Sequence, residues 1–343
     1  MNQPAEIIAD AIDNALDIIE QDREREIISR RFGLVSGQRQ TLEQIGDMLS
    51  ITRERVRQLE KAVLIRLRIA SEDGTIAGLA AAEKLIIRNL TELGRIARTT
   101  DLAEKIYGSP TTAEDRFGLN FIGEISSSLA TVDENDRYYS AIGIAEYGDS
   151  SKYRKKVDEI VSVIKNNKAP MTLEELDDAL DYEHPSHIRA VASISKSLAT
   201  LNGLWGLAKW PTVNPKNIRD KIYVVLEGKK EPMHFSDIAE TIKQSNFRRK
   251  NVTVQAIHNE LIKDPRFVLI GRGIYALDSW GYMRGTVSEI IQQILAKADK
   301  PLTREEIVKQ VLRSRKVKET TVLLNLQNKE RFKKVGKNTY TLA

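Results

Sequence analysis

The fold of the N-terminal part of the chain is determined by residues 22–68, which have the sequence DREREIISRRFGLVSGQRQTLEQIGDMLSITRERVRQLEKAVLIRLR. It predicts a helix that ends near Gly33, a loop, a second helix that begins near Leu42, a three-residue turn and a third helix. Gly33 stands where a left-handed cap would end the first helix. Thr41 and Gln44 have the spacing of a capping box at the start of the second.

The third helix is predicted to run from Arg53 to about Leu67, with Thr52 as its N-cap. Its apolar residues recur at helical spacing and form one stripe: Val56, Leu59, Val63 and Leu67. The opposite face carries charged and amide side chains: Glu54, Arg57, Gln58 and Lys61. Arginine, glutamine and glutamate match the edges of guanine, adenine and cytosine, respectively, in the major groove. A merely solvated charged face is the alternative, but the capped helix, short turn and polar face together favour a DNA-reading helix-turn-helix.

This segment resembles, almost end to end, region 4 of bacterial primary-type sigma factors, which reads the promoter −35 element. The resemblance covers about 47 of the 343 residues. It implies base contacts by Arg53, Glu54 and Gln58. It also implies that Arg55 and Arg57 lie at the phosphate backbone. We expect Thr52 and Lys61 to contact phosphates as well.

In sigma factors the same module also packs on the flap of the polymerase β subunit. The resemblance therefore implies a contact with RNA polymerase core through the first helix and the loop after it, around Ile27, Ile28, Phe32 and Leu34. No stretch resembles the sigma segment that captures the melted −10 strand, and only 21 residues precede the matching segment. We therefore expect something other than a complete sigma factor.

A second pattern repeats along the rest of the chain at a spacing of roughly 60–70 residues. Each copy has an amphipathic helix, a polar break, a proline and a second amphipathic helix: 155–180, 219–242 and 287–311. A further helix and a short strand pair follow in each copy, with hairpin-turn residues at Gly271 and Gly336. Three helices followed by a β-hairpin predict a winged helix-turn-helix.

Two of these copies resemble the HARE-type helix-turn-helix, a winged-helix domain that also forms the ordered part of the delta subunit of bacterial RNA polymerase. The likeness is carried by EPMHFSDI from Glu231, DPRF from Asp264, GIYAL from Gly273 and LWGLAKWP from Leu204. Some members of this family contact protein and not DNA, so the fold leaves the ligand open.

The predicted fold class is mainly α, a tandem array of small helix-turn-helix and winged-helix domains with short β-hairpin wings. We expect an N-terminal amphipathic helix, the sigma-like module, a degenerate winged-helix unit, two HARE-like winged helices and a basic winged helix: 1–21, 22–70, 75–148, 152–211, 217–282 and 284–343.

Charge and composition narrow the function classes. Residues 1–148 carry a net charge of −7 and residues 149–343 a net charge of +12, which suits a polyanionic partner. Within the net +8 segment 283–343, three lysines near the last hairpin are the predicted phosphate contacts: Lys333, Lys334 and Lys337. Solubility is the alternative explanation of this charge.

The sequence offers no chemistry for an enzyme. It lacks cysteine, a phosphate-binding loop and a metalloprotease or hydrolase motif. His184 and His187 have a spacing that suits a metal, but Pro185 lies between them and no third ligand is evident. We expect no cofactor, no metal and no small-molecule substrate. Without a signal peptide or a membrane-length apolar run, we expect a cytoplasmic protein with no membrane partner.

Two functional hypotheses remain. In the first, the protein is a sequence-specific DNA-binding protein of bacterial transcription initiation, associated with RNA polymerase and bound to double-stranded DNA. In the second, it is a delta-like accessory or adaptor that uses the same modules to contact polymerase. The face from Arg53 to Lys61 favours the first, since a pure adaptor would not need it.

Overall fold

The computed structural model describes residues 4–35, 37–180, 185–247, 251–298 and 300–343, which form two compact units, 1–209 and 210–343. About 58% of the structure is helical, with sixteen α-helices in the described ranges. The strands form only small antiparallel sheets. The predicted mainly-α class is therefore confirmed.

Unit 1, residues 1–209, contains ten helices and five strands among its described residues. In chain order they are α1 (Pro4–Asp17), α2 (Asp22–Phe32), α3 (Leu42–Leu49), α4 (Arg53–Glu72), α5 (Leu79–Leu93), β1 (Ile96–Arg98), α6 (Thr99–Tyr107), α7 (Ala113–Ile125), β2 (Leu129–Val132), β3 (Ala141–Ile144), α8 (Ser150–Asn167), α9 (Leu173–Leu180), α10 (Pro185–Ser193), β4 (Leu198–Leu201) and β5 (Leu204–Leu207).

One hydrophobic core runs from α1 to β3. It joins side chains from the N-terminal helix, from the sigma-like segment and from the segment that follows, including Ile8, Phe32, Leu67 and Phe121. The rings of Phe32 on α2 and Phe121 on α7 meet edge to face, with centroids 5.2 Å apart. A single helix or a three-helix module this small buries little apolar surface alone, so the three segments share one interior. The expected boundaries near 21 and 70 therefore separate sequence motifs that pack as one body.

The order helix, strand, helix, helix, hairpin recurs along the chain. In unit 1 it comprises α5, β1, α6, α7 and the pair β2–β3, and the three strands lie in the order β1-β3-β2. The copy from α8 to β5 replaces the first strand by a single bridge between Met171 and Trp205. The hairpin is the wing expected from the repeated sequence pattern.

Unit 2, residues 210–343, contains two further copies of this order. The elements are α11 (Ile218–Lys229), β6 (Met233–His234), α12 (Phe235–Gln244), α13 (Val254–Lys263), β7 (Phe267–Gly271), β8 (Ile274–Leu277), α14 (Val287–Ala296), β9 (Leu302–Thr303), α15 (Arg304–Ser314), α16 (Glu319–Leu326), β10 (Phe332–Gly336) and β11 (Thr339–Leu342). The last copy has a core of its own, which includes Ile290, Val322 and Phe332.

The two copies in unit 2 touch through the outer strand of the first wing. Lys316, in the loop after α15, donates its backbone N–H to the carbonyl of Ile270 at 2.8 Å. The Arg315 guanidinium donates from Nη1 to the carbonyl of Leu269 at 2.5 Å. A Cβ on Gly271 would lie 2.7 Å from the Lys316 carbonyl oxygen, so glycine permits this close approach.

Candidate DNA interface

The turn between α3 and α4 is set by local hydrogen bonds. The Thr41 hydroxyl accepts from the Gln44 N–H at 3.2 Å, and the Gln44 side chain accepts from the Thr41 N–H at 2.8 Å. This is the predicted capping box. Thr52 caps α4 by accepting from the Arg55 N–H at 3.2 Å, as also predicted. These caps start both helices at defined residues.

Close packing also tightens the turn. Ser50 takes the left-handed conformation with φ of 52° and ends α3. A Cβ on Gly46 would lie 2.7 Å from the Ile51 carbonyl oxygen, so the small residue at this position lets the turn fold back on α3. The two helices of the motif are thereby held in one geometry.

The inner face of α4 is buried along its length. Val56 packs in a small cluster with Ile27 and Ile45, while Val63 and Leu67 belong to the larger core. Leu59 is half-buried and packs against the small cluster. Helix α4 continues to Glu72, beyond the predicted end near Leu67. The buried apolar side chains of its second half belong to the shared core.

The side chains expected to contact polymerase lie in the interior. Ile27 and Ile28 are fully buried, Phe32 is 7% exposed, and Leu34 packs against the shared core. The expectation of an exposed apolar surface here needs correction, because Ile27 packs against Ile45 of α3 and Val56 of α4, and α7 also packs on α2. A polymerase contact through these atoms would require that core to open.

The outer face of α4 is exposed from its first turn. Five of the seven expected DNA contacts lie in its first two turns and are exposed: Arg53, Glu54, Arg55, Arg57 and Gln58. Thr52 and Lys61 are exposed as well. The structure thus brings together, on one helix, the three expected base contacts and the four expected phosphate contacts of this module.

Glu54 is the hydrogen-bonding centre of this face. Arg57 donates to its two carboxylate oxygens from Nε at 2.8 Å and from Nη2 at 2.6 Å, and Gln58 donates from Nε2 at 3.4 Å. These bonds, with Arg57 first, hold the pKa of Glu54 below its ordinary value, and the Glu54 bond raises the pKa of Arg57. Arg55 donates to the Gln58 side-chain oxygen at 3.4 Å. This network is not among the features expected from the sequence, although the three-residue spacing of Glu54 and Arg57 is a known signal for such a pair.

Three other arginines of the motif are held by carboxylates of unit 1. Arg66 is ion-paired with Glu24, Arg68 with Glu124 at 2.9 Å, and Arg31 with Glu60 at 3.1 Å. These contacts fix α4 against α2 and α7. The basic groups at the start of α4 therefore differ from those near its end, which are used for packing.

The lysines expected at the last wing lie on or beside β10. Lys333 and Lys334 are exposed and pair with Thr341 and Tyr340 across the hairpin, and Lys337 lies in the exposed turn. Successive side chains of a strand point to opposite faces. Lys333 and Lys334 therefore cannot face one phosphate run together, which the sequence pattern alone did not indicate.

The third helices of the unit 2 modules have a different surface. Helix α16 contains no lysine or arginine, and its Leu324 is 65% exposed. Helix α13 exposes Ile262 at 64% and Val254 at 38%. Trp205 and Tyr275 are buried, and Trp280 packs in a wing cluster.

His187, one of the two histidines with metal-like spacing, is a buried packing residue. Its Nδ1 lies 2.9 Å from the Gly94 carbonyl oxygen and its Nε2 lies 3.1 Å from the Lys156 Nζ. His184 lies outside the described residues. Within 4–35, 37–180, 185–247, 251–298 and 300–343, no three His, Cys, Asp or Glu side chains group as metal ligands. None of the described helices is both long and apolar enough to cross a membrane.

Two parts of the chain match known families. Residues 21–68 match the model of sigma-70, region 4, and residues 218–280 match that of the HARE-HTH domain, the helix-turn-helix named for its occurrence in ASXL proteins and restriction endonucleases. The chain is 40% identical over 62 residues to RNA polymerase sigma factor SigA of Microcystis aeruginosa and, over the same length, to SigA of Synechocystis sp.. That stretch is 18% of this chain and spans only 15% and 14% of those two proteins. The sigma-like resemblance and the HARE-like resemblance of the copy at 217–282 are thereby confirmed, whereas the HARE-like character of 152–211 stays a prediction. The chain combines a sigma-70 region 4 segment with a HARE-type domain, two helix-turn-helix types of DNA-binding, transcription-related proteins.

Proposed function

We propose that the protein is a sequence-specific DNA-binding protein of bacterial transcription initiation, and that α4 reads promoter DNA in the major groove. The observation that carries this proposal is the surface of α4. Its first two turns expose arginine, glutamate and glutamine together, while its second half is fixed in the core of unit 1. An α-helix fits the major groove, and these residue types match base edges there.

In this proposal Arg53, Glu54 and Gln58 contact bases. Arg57 holds both oxygens of Glu54, so Glu54 is already oriented before DNA arrives. Pre-oriented side chains lose less conformational freedom on binding, which favours affinity. Because Glu54 balances part of its charge, Arg57 attracts the DNA phosphate backbone less strongly than an unpaired arginine would.

Phosphate contacts then come from the rim of the same face. Thr52, Arg55 and Lys61 are exposed around the proposed base contacts. Phosphate contacts position a helix without selecting sequence, whereas base contacts select it. The proposal therefore assigns different consequences to loss of Arg55 and to loss of Arg53.

The test is a binding selection on random duplexes with the full chain, repeated with Arg53→Ala and Arg55→Ala. We expect one enriched motif, relaxed choice at one base pair for Arg53→Ala, and uniformly weaker binding for Arg55→Ala. Arg88→Ala is the control, because Arg88 is 81% exposed on α5, away from α4. An unaltered chain that enriches no motif would refute the proposal.

We also propose that unit 2 contacts RNA polymerase, a second function that can coexist with the first. The observation in its favour is the exposed apolar face of the third helices, with Ile262 and Leu324 both about two-thirds exposed. Such side chains suit a protein partner better than a phosphate backbone.

Ile262→Asp with Leu324→Asp should abolish co-sedimentation with purified polymerase core. Ile69→Asp, at a 53% exposed position on α4, is the matched control; equal loss in both would contradict the assignment.

A further inference from the structure

A polar cavity of about 210 Å³ lies inside unit 1, between the helix-turn-helix and the winged copy packed on it. Its lining comes from α2, α4, α7, β2 and the loop after β2. The volume equals that of about seven water molecules at ~30 Å³ each, enough for a small metabolite. Glu60 and Leu64 of α4 belong to the lining.

One buried side chain in this lining has an unused donor. Asn120 is 8% exposed, and its Oδ1 accepts from the hydroxyls of Thr99 at 2.9 Å and Ser140 at 3.1 Å. In this arrangement the carboxamide oxygen lies toward both hydroxyls and the amide nitrogen lies away from them. The Asn120 amide nitrogen has no hydrogen-bond partner in the described part of the chain. This donor is not enclosed by protein atoms, so the oxygen of a ligand that enters the cavity can accept its hydrogen bond.

A guanidinium at the same cavity also lacks an ion-pair partner. Arg39 lies over the rings of Phe117 and Phe32, with its Cζ 5.0 Å and 5.8 Å from their centroids. It makes no hydrogen bond or ion pair with any residue that the structure describes. Loss of hydration, and then repulsion by Arg31, outweigh the electrostatic attraction of Asp133, Glu124 and Glu134 and hold the pKa of Arg39 below its ordinary value. A carboxylate placed beside it would relieve both costs.

The carboxylates of the lining are mostly neutralised. Three of the four are in ion pairs: Glu60 with Arg31, Glu124 with Arg68, and Glu134 with Lys196. The fourth, Asp133, is exposed in the loop after β2 and has no ion-pair partner within the described ranges. Among the described residues, the lining thus offers one unpaired cation, Arg39, and one unpaired anion, Asp133.

We propose that this cavity binds a small α-amino acid as the zwitterion. Its carboxylate lies against Arg39 and the Asn120 amide nitrogen, and its ammonium lies against Asp133. The full lining has two guanidinium groups against four carboxylates, which disfavours a dianion such as phosphate. A simple cation would leave Arg39 and the Asn120 donor unsatisfied.

The test is isothermal titration of the full chain, without DNA, with each of the twenty common amino acids. At least one should bind, while acetate and methylammonium, which each carry only one of the two charges, should bind at least tenfold more weakly. Arg39→Gln and Asp133→Asn should each weaken the bound amino acid at least tenfold. Both positions reach the surface, so both variants should keep the fold, which far-UV circular dichroism checks.

Arg88→Gln serves as the matched control and should bind as the unaltered chain does. The proposal is overturned if no amino acid binds, if acetate binds as well as the amino acid, or if Arg39→Gln and Asp133→Asn leave the affinity unchanged. Because the titration contains no DNA, its outcome is independent of whether α4 reads promoters.

Discussion

Helices α4 and α16 hold the same place in their modules, as the third helix of a helix-turn-helix unit, yet their surfaces differ. The exposed side of α4 carries Arg53, Glu54 and Gln58, whereas α16 exposes Leu324 and has no basic residue. Their inner sides differ as well, because α4 joins a core shared by three segments and α16 joins the core of one module. A common fold therefore leaves the ligand undecided, and the side chains on the helix decide it.

The largest effect should come from the shared core. Phe32→Ala removes a ring that is 7% exposed and packs on Phe121, and should lower the free energy of unfolding by about 3–5 kcal/mol. Hydrogen exchange should show that amide protection falls in α4 and in the β2–β3 wing together. Phe332→Ala, at a 3% exposed position in the last module, should leave exchange in α4 unchanged. Protection of β2–β3 that survives Phe32→Ala would break the idea of one body.

The next effect concerns binding and sets the two helices directly against each other. Gln58→Ala should cost about 1–3 kcal/mol on the preferred duplex, because a base edge loses its partner. Leu324→Ala should change that affinity by less than about 0.5 kcal/mol, as expected for a surface position outside the interface. Fluorescence anisotropy with the selected duplex measures both. Equal losses would mean that α16 also lies at the DNA.

Helix capping gives a smaller and cleaner comparison. Thr52→Ala removes the hydroxyl that accepts the Arg55 N–H, and should destabilise unit 1 by about 0.5–2 kcal/mol. The residue at the same position of α16 is Lys318, whose side chain makes no capping bond. Lys318→Ala should therefore leave stability unchanged in urea titrations. If Lys318→Ala lowered stability as much as Thr52→Ala, the difference between the two positions would not be due to capping.

The lysines of the last wing should affect salt dependence more than affinity. Lys333→Gln, Lys334→Gln and Lys337→Gln together should reduce the slope of log affinity against log salt by about 1–2, because each phosphate contact is worth about 0.9. The opposite orientations of Lys333 and Lys334 prevent all three from contributing. The change should be the same for every duplex sequence. An unchanged slope would remove this wing from the interface.

The smallest effect is the pH dependence of the Glu54–Arg57 pair. The hydrogen bond from Arg57 lowers the pKa of Glu54 in the folded protein. Its contribution to stability is thus present above the unfolded pKa and is lost as pH falls through the folded one. Because the pair is exposed, the stability change should be slight. Arg57→Gln should raise the pKa of Glu54 toward its ordinary value, as measured by carboxyl NMR titration. An unchanged Glu54 pKa would exclude the pair in solution.

Local features of the helix-turn-helix could be predicted from sequence because neighbours in the chain cause them. The capping box at Thr41, the cap at Thr52 and the end of α2 at Gly33 all depend on residues within five positions. The wings could be anticipated for a similar reason, since hairpin turns and apolar alternation are local signals.

Long-range packing could not be read in the same way. Nothing near Phe32 in the chain indicates Phe121, and the ion pair between Arg66 and Glu24 joins residues 42 positions apart. The interior position of Ile27 and Ile28 follows from such contacts. The apolar pattern of these residues fits a polymerase contact and burial within the same chain equally well.

The outer strand of a wing presents an edge that can pair with a strand of another molecule, a common route to aggregation. In the first module of unit 2 the loop at Arg315 and Lys316 occupies the carbonyls of Leu269 and Ile270, so that edge is closed by the chain itself. The corresponding edge strand β10 is protected differently, by the charges of Lys333 and Lys334. These lysines therefore have a role that does not depend on DNA, because their charges oppose pairing of β10 with a strand of another molecule. Replacing them should lower the solubility of the protein.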